Sequence, residues 1–412
     1  MPPITTHDPI ASASPTRSES PAARSSTRLL SLDAYRGFVM LLMASGGLGI
    51  AHIAKNFPDS SLWKFLDYHF EHVEWTGCAL WDLIQPSFMF MVGVALPFSI
   101  ASRRAKSDSF GKMFLHAVWR SFLLVALGIF LRSVGSKQTY FTFEDVLTQI
   151  GLGYTFLFLL GWTKPRVQVV AAIVILFFYW LAFALWPLPP ENFDWAKVGV
   201  PANWPHLHGF AAHWDKNFNF AATADQWFLN LFPRENPFVF NGGGYLTLNF
   251  VPSLATMIFG LLAGNLLRGE KSPMQKLYWL LGVGIACLAV GKILDATGVC
   301  PSVKKIWTPA WVIFSTGWTC LLLAAFYALI DLRGWKRWAF PLVVVGMNSI
   351  AIYVMAHLWQ SFIFSTTKTH LGQKFFEMFG VVYKPMFQSI WAVLVLWLIC
   401  FWMYRRKIFL RL

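Results

Sequence analysis

The sequence predicts an all-α polytopic membrane protein, with about 10 transmembrane helices around a polar cavity and one long outer loop. Three observations lead there. Of the 412 residues, 56% are hydrophobic and only 13% charged, a balance well outside that of soluble domains. Aromatic residues make up 17% of the chain, with 21 Trp, as befits a protein with two membrane interfaces to populate. A ruler of about 20 apolar residues per ~30 Å of hydrocarbon marks spans at 33–54, 80–101, 113–132, 145–162, 167–186, 246–267, 276–294, 308–330, 340–364 and 386–404.

Residues 1–27 precede the first span. They are rich in Pro, Ser, Thr and Ala without an apolar run, so a disordered cytoplasmic tail is expected, and no cleavable signal peptide is seen. The remainder, 28–412, reads as one transmembrane domain. Its first span opens with Arg28-Leu-Leu-Ser-Leu-Asp33-Ala-Tyr-Arg36-Gly37. Asp33 and Arg36, three apart, share a helix face and can neutralise each other.

The stretch 68–97 organises the rest. His69, Glu71, His72 and Glu74 run straight into a long apolar segment headed by Asp82. A charge in hydrocarbon costs at least ~2.5 kcal/mol, so Asp82 predicts a helix facing a protein interior or a wet cavity. Gln85, Ser87 and Ser99, with Pro86 and Pro97 bending the helix, point the same way. Arg120 and Arg132 bracket the third span; Arg120 either snorkels to the inner face or holds a phosphate. Lys164-Pro165-Arg166 is the turn between spans four and five.

The segment 187–245 is too long for a plain connection, and with His206, His208 and His213 it is expected to form an outer cap. It closes with Gly242-Gly243-Gly244, where backbone can approach another group closely. Thr148 and Gln149 in span four, and Asn348, Ser349, Tyr353 and His357 in span nine, add polar groups. Recurring over five spans, they predict a central hydrophilic cavity.

Ten spans put both termini on one side. The tail and the loops on that side hold most of the excess Lys and Arg, whereas the longer loops opposite are nearly balanced. Both termini are therefore expected in the cytoplasm, in the cytoplasmic (inner) membrane. The net charge of +14 is then a topology signal, which disposes of nucleic acid as a partner; membrane lipid is the surrounding one. Five cysteines without a Cys-x-x-Cys spacing indicate neither a disulfide framework nor a zinc site. The His69-x-x-His72 spacing lacks a third ligand, so no metal is expected.

His72 is suited to accept and return a proton near neutral pH, with Glu71 or Glu74 to orient it. The competing reading of this cluster is a solvated interfacial loop.

Several of these stretches occur together, in order, in a known family. Arg28 to Gly37, His72-Val-Glu-Trp75-Thr-Gly77, Asp82-Leu-Ile-Gln-Pro86-Ser-Phe-Met-Phe-Met-Val-Gly93, Trp119-Arg120-Ser121, Gly346-Met-Asn348-Ser349-Ile350 and the ending Arg405-Arg-Lys-Ile-Phe409 resemble the heparan-alpha-glucosaminide N-acetyltransferase family. The resemblance implies transmembrane acetylation: acetyl-CoA, the acyl donor, is used from the cytoplasmic side, and the acetyl group goes to an amino sugar or glycan beyond the membrane. It maps the family's active-site histidine onto His72. Glu71, Asp82 and Asn348 are the accompanying catalytic candidates, Asn348 or backbone N–H groups supporting the oxyanion. Arg36, Arg103, Arg104, Arg120 and Ser349 are the candidates for holding CoA. Animal members carry a further lumenal domain and span, and their asparagine near the end of the first shared helix falls on Gly47. Reaction class therefore transfers better than acceptor identity. A secondary transporter for a sugar or anionic metabolite is the rival reading, and a non-catalytic scaffold in envelope assembly a third. Acceptor, N- against O-acetylation and subunit number stay open, a homodimer among the options.

Overall fold

The computed structural model describes residues 29–410. The expected tail, Arg28 and Arg411 lie outside the described residues. The architecture is all-helical: α1 Leu30–Ala44, α2 Ile50–Ala54, α3 Ser61–Phe70, α4 Ile84–Arg104, α5 Phe110–Ser133, α6 Val146–Leu160, α7 Pro165–Ala184, α8 Phe220–Leu229, α9 Phe250–Arg268, α10 Pro273–Ala296, α11 Pro309–Phe326, α12 Phe340–Gly346, α13 Ser349–Leu371 and α14 Lys384–Arg405. Local chemistry sets many of the starts. Asp145 caps α6 through Leu147 and Thr148 N–H, Ser272 and Gln275 form a reciprocal capping box on α10, and proline stands in the first turn of α7, α11 and α14, where no hydrogen bond is lost.

Among the described residues, seven helices are long and apolar enough to cross a membrane, or nine if each of two bent pairs is one span. Of the ten expected spans, seven match single helices of this length, two are bent pairs and one is shorter. The first expected span breaks between α1 and α2, bending by 42°, because Gly46, Gly47, Leu48 and Gly49 all take positive φ, a left-handed turn in which the leucine is the unusual member. The ninth breaks between α12 and α13, bending by 81° at Asn348. The fourth expected span, α6, has 15 residues, short of the ~20 a bilayer needs.

α4, α9 and α11 are central and the others lie around them. In the spans containing α4 and α9, 67% of the most apolar window is buried, against 17% for α10, whose remaining face suits lipid. Small residues allow the tightest crossings. A Cβ on Gly93 would lie 1.9 Å from the Met257 carbonyl oxygen, and on Gly260 2.0 Å from that of Phe90, where α4 meets α9. Gly37 and Gly346 do the same for α1 and α12: a Cβ on Gly346 would lie 1.8 Å from Asp33 O. Such contact is the usual source of helix association in lipid. Asp331 adds a long-range cap, accepting from Leu30 and Ser31 N–H at 3.3 Å each.

Residues 187–245 pack around a second core that includes Trp75, Phe183, Trp204, Trp214 and Ile306. Trp75 Nε1 donates to Trp214 O at 3.1 Å, and Asp215 accepts from Trp204 Nε1 and holds His206 Nδ1 at 2.6 Å. These bonds tie the stretch after α3 to the long segment. Thr76 pairs with Val303 in an isolated antiparallel bridge, so the loop between α10 and α11, residues 297–308, is drawn to the same place. We call this face of the bundle the upper face and its opposite the lower.

Candidate active site

Two cavities open from opposite faces and share one side chain, Phe88. The upper one, of about 430 Å³, is lined by Met40, His72, Gln85, Arg132, Glu144, Tyr245, Lys304, Tyr353 and His357 among others. The lower, of about 530 Å³, includes Arg36, Arg103, Lys106, His116, Arg120, Tyr154, Ser349, Phe409 and Leu410.

The upper cavity is organised by three charged or titratable side chains. His72 Nδ1 lies 2.7 Å from Asp82 Oδ1. Asp82 is only 1% exposed and its second oxygen accepts from Val73 and Ala79 N–H at 3.3 and 3.0 Å. A carboxylate can only accept, so the proton of neutral His72 belongs on Nδ1 and the Nε2 lone pair is left for chemistry. Lys304 Nζ is 3.4 Å from Asp82 Oδ1, 3.0 Å from His72 Nδ1 and 3.5 Å from Nε2. Those last two distances are so similar that the ammonium lies beside the ring, not in line with Nδ1.

Burial lowers the His72 pKa; the Asp82 bond opposes this, and Lys304 and Lys305 add to it. The Lys304 ammonium, 3% exposed, is pushed down to about 8 by burial, with Asp82 opposing. The net effect is a histidine kept neutral and a lysine close to its titration range. Across the cavity, burial raises the Glu144 carboxyl, while Arg132 works against the rise, and Glu144 Oε2 accepts from Asn241 Nδ2 at 2.6 Å. Gln85 Nε2 donates to Gln149 Oε1 at 3.3 Å, joining α4 to α6 at the cavity wall.

The lower cavity is basic. Arg120 Nη1 donates to Tyr154 OH at 3.1 Å and its guanidinium lies 4.5 Å above that ring. Its buried Nε has no hydrogen-bond partner among the described residues, so it has a donor to spare for an anion. Arg36 stands near Asp33 at 3.7 Å and donates to Gly346 O at 3.4 Å; Arg103 is 3.8 Å from Asp108.

The structure brings His72 and Asp82 together, and Arg36, Arg103, Arg120 and Ser349 line one cavity. It does not bring in the others. Glu71 is exposed at the end of α3 and the histidine's partner is Asp82, not Glu71 or Glu74. Arg104 lies over the Trp162 ring at 5.6 Å and outside the lower cavity lining. Asn348 is fully buried with its amide bonded to Ile408 O and Leu410 N–H, so it is not at the His72 cavity, and an oxyanion role loses its geometric basis. Lys304 is the residue the sequence reading missed. Its local signal is a lysine pair, Lys304-Lys305, set directly before Ile306-Trp307 at the mouth of a span. A separate hollow of about 600 Å³, between residues 135–140 and 233–240, contains none of these groups.

No family model matches the chain. Over 426 residues it is 23% identical to heparan-alpha-glucosaminide N-acetyltransferase of Homo sapiens, an alignment covering 93% of this chain and 59% of that protein. The Mus musculus protein of the same name is 22% identical over 424 residues, covering 93% and 60%. The chain thus spans about three fifths of the length of these relatives, and it is related to them over nearly all of its own.

Proposed function

We propose that this protein is a membrane-embedded acyltransferase that moves an acetyl group from acetyl-CoA to a sugar amine or hydroxyl across the bilayer. The observation that carries the reading is the pair of cavities meeting at Phe88, one basic, the other holding the His72–Asp82 pair with Lys304 beside it. The relatedness to two N-acetyltransferases supports it. The lower face presents Arg103, Arg104, Lys106, Lys164, Arg166, Arg333, Lys336 and Arg337 at helix ends and turns, the charge bias of a cytoplasmic side. That face, where CoA is available, would take the donor. Its phosphates suit Arg36, Arg103 and Arg120, each good charge-assisted bond being worth ~1.5 to 3 kcal/mol.

In the upper cavity His72 Nε2 acts as base. The acceptor's nitrogen or oxygen attacks the acetyl carbonyl, its proton passes to Nε2, the C–S bond breaks and CoA leaves as the thiolate, taking up a proton. Asp82 holds the ring in the productive tautomer and stabilises the imidazolium. Lys304, 3.5 Å from Nε2, is placed to stabilise the oxyanion. Transfer through Nε2-acetyl-histidine uses the same groups in two steps.

The two broken helix pairs favour the rival, since transporters often use discontinuous helices at a midplane site. Proteoliposomes loaded with labelled acetyl-CoA, with amino sugars outside, separate the two. Acetylated sugar outside that depends on internal acetyl-CoA supports the acyltransferase; sugar accumulation inside vesicles free of CoA overturns it.

A further inference from the structure

Two stretches far apart in sequence are joined at the edge of the lower cavity. α14 ends in a turn in which Lys407 takes φ +56°. Ile408 N–H donates to Met403 O at 2.9 Å and Lys407 N–H to Tyr404 O at 3.1 Å, the paired bonds of a Schellman stop with a lysine where glycine is usual. The chain then folds back onto the break between α12 and α13. There Asn348 Nδ2 donates to Ile408 O at 3.1 Å and Leu410 N–H donates to Asn348 Oδ1 at 3.2 Å. A single asparagine amide offers one donor and one acceptor side by side, so it fits a carbonyl and an N–H two residues apart as a paired strand would. Phe409 lies between the two clamped groups and, with Leu410, lines the lower cavity beside Arg36, Met347 and Ser349.

We propose that Asn348 clamps residues 408–410 as a wall of the lower cavity, making Phe409 and Leu410 determinants of affinity for the acyl donor. Asn348 is then a positioning residue: it acts through the returned segment, at the bend that also begins α13, and touches no reacting atom. The inference rests on the donor-binding reading above, and its test separates the two.

The test combines amide hydrogen exchange of the segment after Met403 with acetyl-CoA affinity and steady-state kinetics, on the full chain in detergent. Asn348→Ala removes both halves of the clamp, whereas Asn348→Asp removes the donor to Ile408 O and keeps the acceptor for Leu410 N–H. In Asn348→Ala exchange at the Leu410 amide should rise about tenfold or more, with a KM for acetyl-CoA about tenfold higher and the loss falling on KM more than on kcat; in Asn348→Asp, which keeps the Leu410 acceptor, the rise in exchange should be smaller. Phe409→Ala leaves both backbone bonds in place. It should weaken acetyl-CoA binding without changing Leu410 exchange, and it keeps the proposal testable if the Asn348 variants fail to fold. Unchanged Leu410 exchange in Asn348→Ala overturns the clamp. Raised exchange with unchanged acetyl-CoA affinity, or full affinity in Phe409→Ala, overturns the wall. A wild type that binds no acetyl-CoA overturns the donor-binding reading and with it the wall, while exchange still decides the clamp.

Discussion

Replacing Lys304 by methionine isolates the electrostatics of the upper cavity. The ammonium lies 3.0 Å from His72 Nδ1, and at that distance two unit charges repel by ~1.4 kcal/mol at the dielectric of water. The His72 side chain is 40% exposed, so solvent screening keeps the effective dielectric near that limit. Removing the cation should therefore raise the His72 pKa by ~1 pH unit. A base works only when neutral, so activity rises with pH through this pKa. In the wild type burial, with the Lys304 and Lys305 charges adding to it, holds that rise below the ordinary imidazole value against the Asp82 bond; in Lys304→Met it should move up by ~1 unit. A second limb should change as well. Lys304 itself is pushed down to about 8, so wild-type activity should fall above that pH as the ammonium loses its proton, and the fall should vanish in the variant. The assay is kcat/KM against pH for acetyl transfer, with Lys304→Arg as the conservative control that retains the cation. Both limbs report the coupled cluster and not one isolated group. An acid limb that stays in place, or moves to lower pH, would refute the assignment of Lys304 as a charge that adds to burial in keeping His72 neutral.

Asp82→Asn should lower kcat by ~10² to 10⁴-fold with intact folding, because an amide N–H facing Nδ1 moves the imidazole proton to Nε2 and removes the base; activity within a few-fold of wild type would count against the pair. Asp225 is 2% exposed, its Oδ1 has no partner among the described residues and burial pushes its carboxyl up to about 7. The folded state therefore favours the protonated acid: that stability is fully present below the ordinary carboxylate pKa and is lost as pH rises through about 7. Asp225→Asn, which keeps an acceptor for Thr247 N–H, should raise the apparent Tm at pH 8 and change it little at pH 4; equal shifts at both would contradict this. Gly346→Ala should abolish or sharply reduce folded yield, since its Cβ would lie 1.8 Å from Asp33 O, whereas Gly282→Ala, with nothing within 4 Å, should be neutral or stabilising by up to ~1 kcal/mol. Folded yield of the two variants, with thermal unfolding of Gly282→Ala, decides it.

What the sequence made legible was whatever is local along the chain. Runs of apolar residues located the long helices, most of them within a few residues, though the short α3 and α8 lie outside those spans, and a carboxylate at the head of an apolar run singled out Asp82. Pairings created by tertiary folding were not legible. His72 and Asp82 are ten residues apart on either side of a turn, a separation that neither helix nor strand periodicity links. Lys304 reaches them over 232 residues by way of the Thr76–Val303 bridge, so no spacing rule could connect it. Asn348 looked like a catalytic amide in a polar helix because its partners, backbone groups near residue 410, have no side-chain signature. The break at Gly46 to Gly49 did carry a local signal, three glycines in four positions, which hydropathy alone smooths into one span. Gly37, Gly93 and Gly346 belong to the stretches that resemble the acetyltransferases, and their place at helix crossings accounts for them without a catalytic role.

The central claim is that His72 is the base of an acetyl-CoA-dependent transfer. Its most direct test is release of CoA from radiolabelled acetyl-CoA by purified protein given a mixture of amino sugars, wild type beside His72→Ala. The account predicts acceptor-dependent release by the wild type and a loss of ~10²-fold or more in the variant, with binding of acetyl-CoA retained. Equal release by both proteins would contradict it.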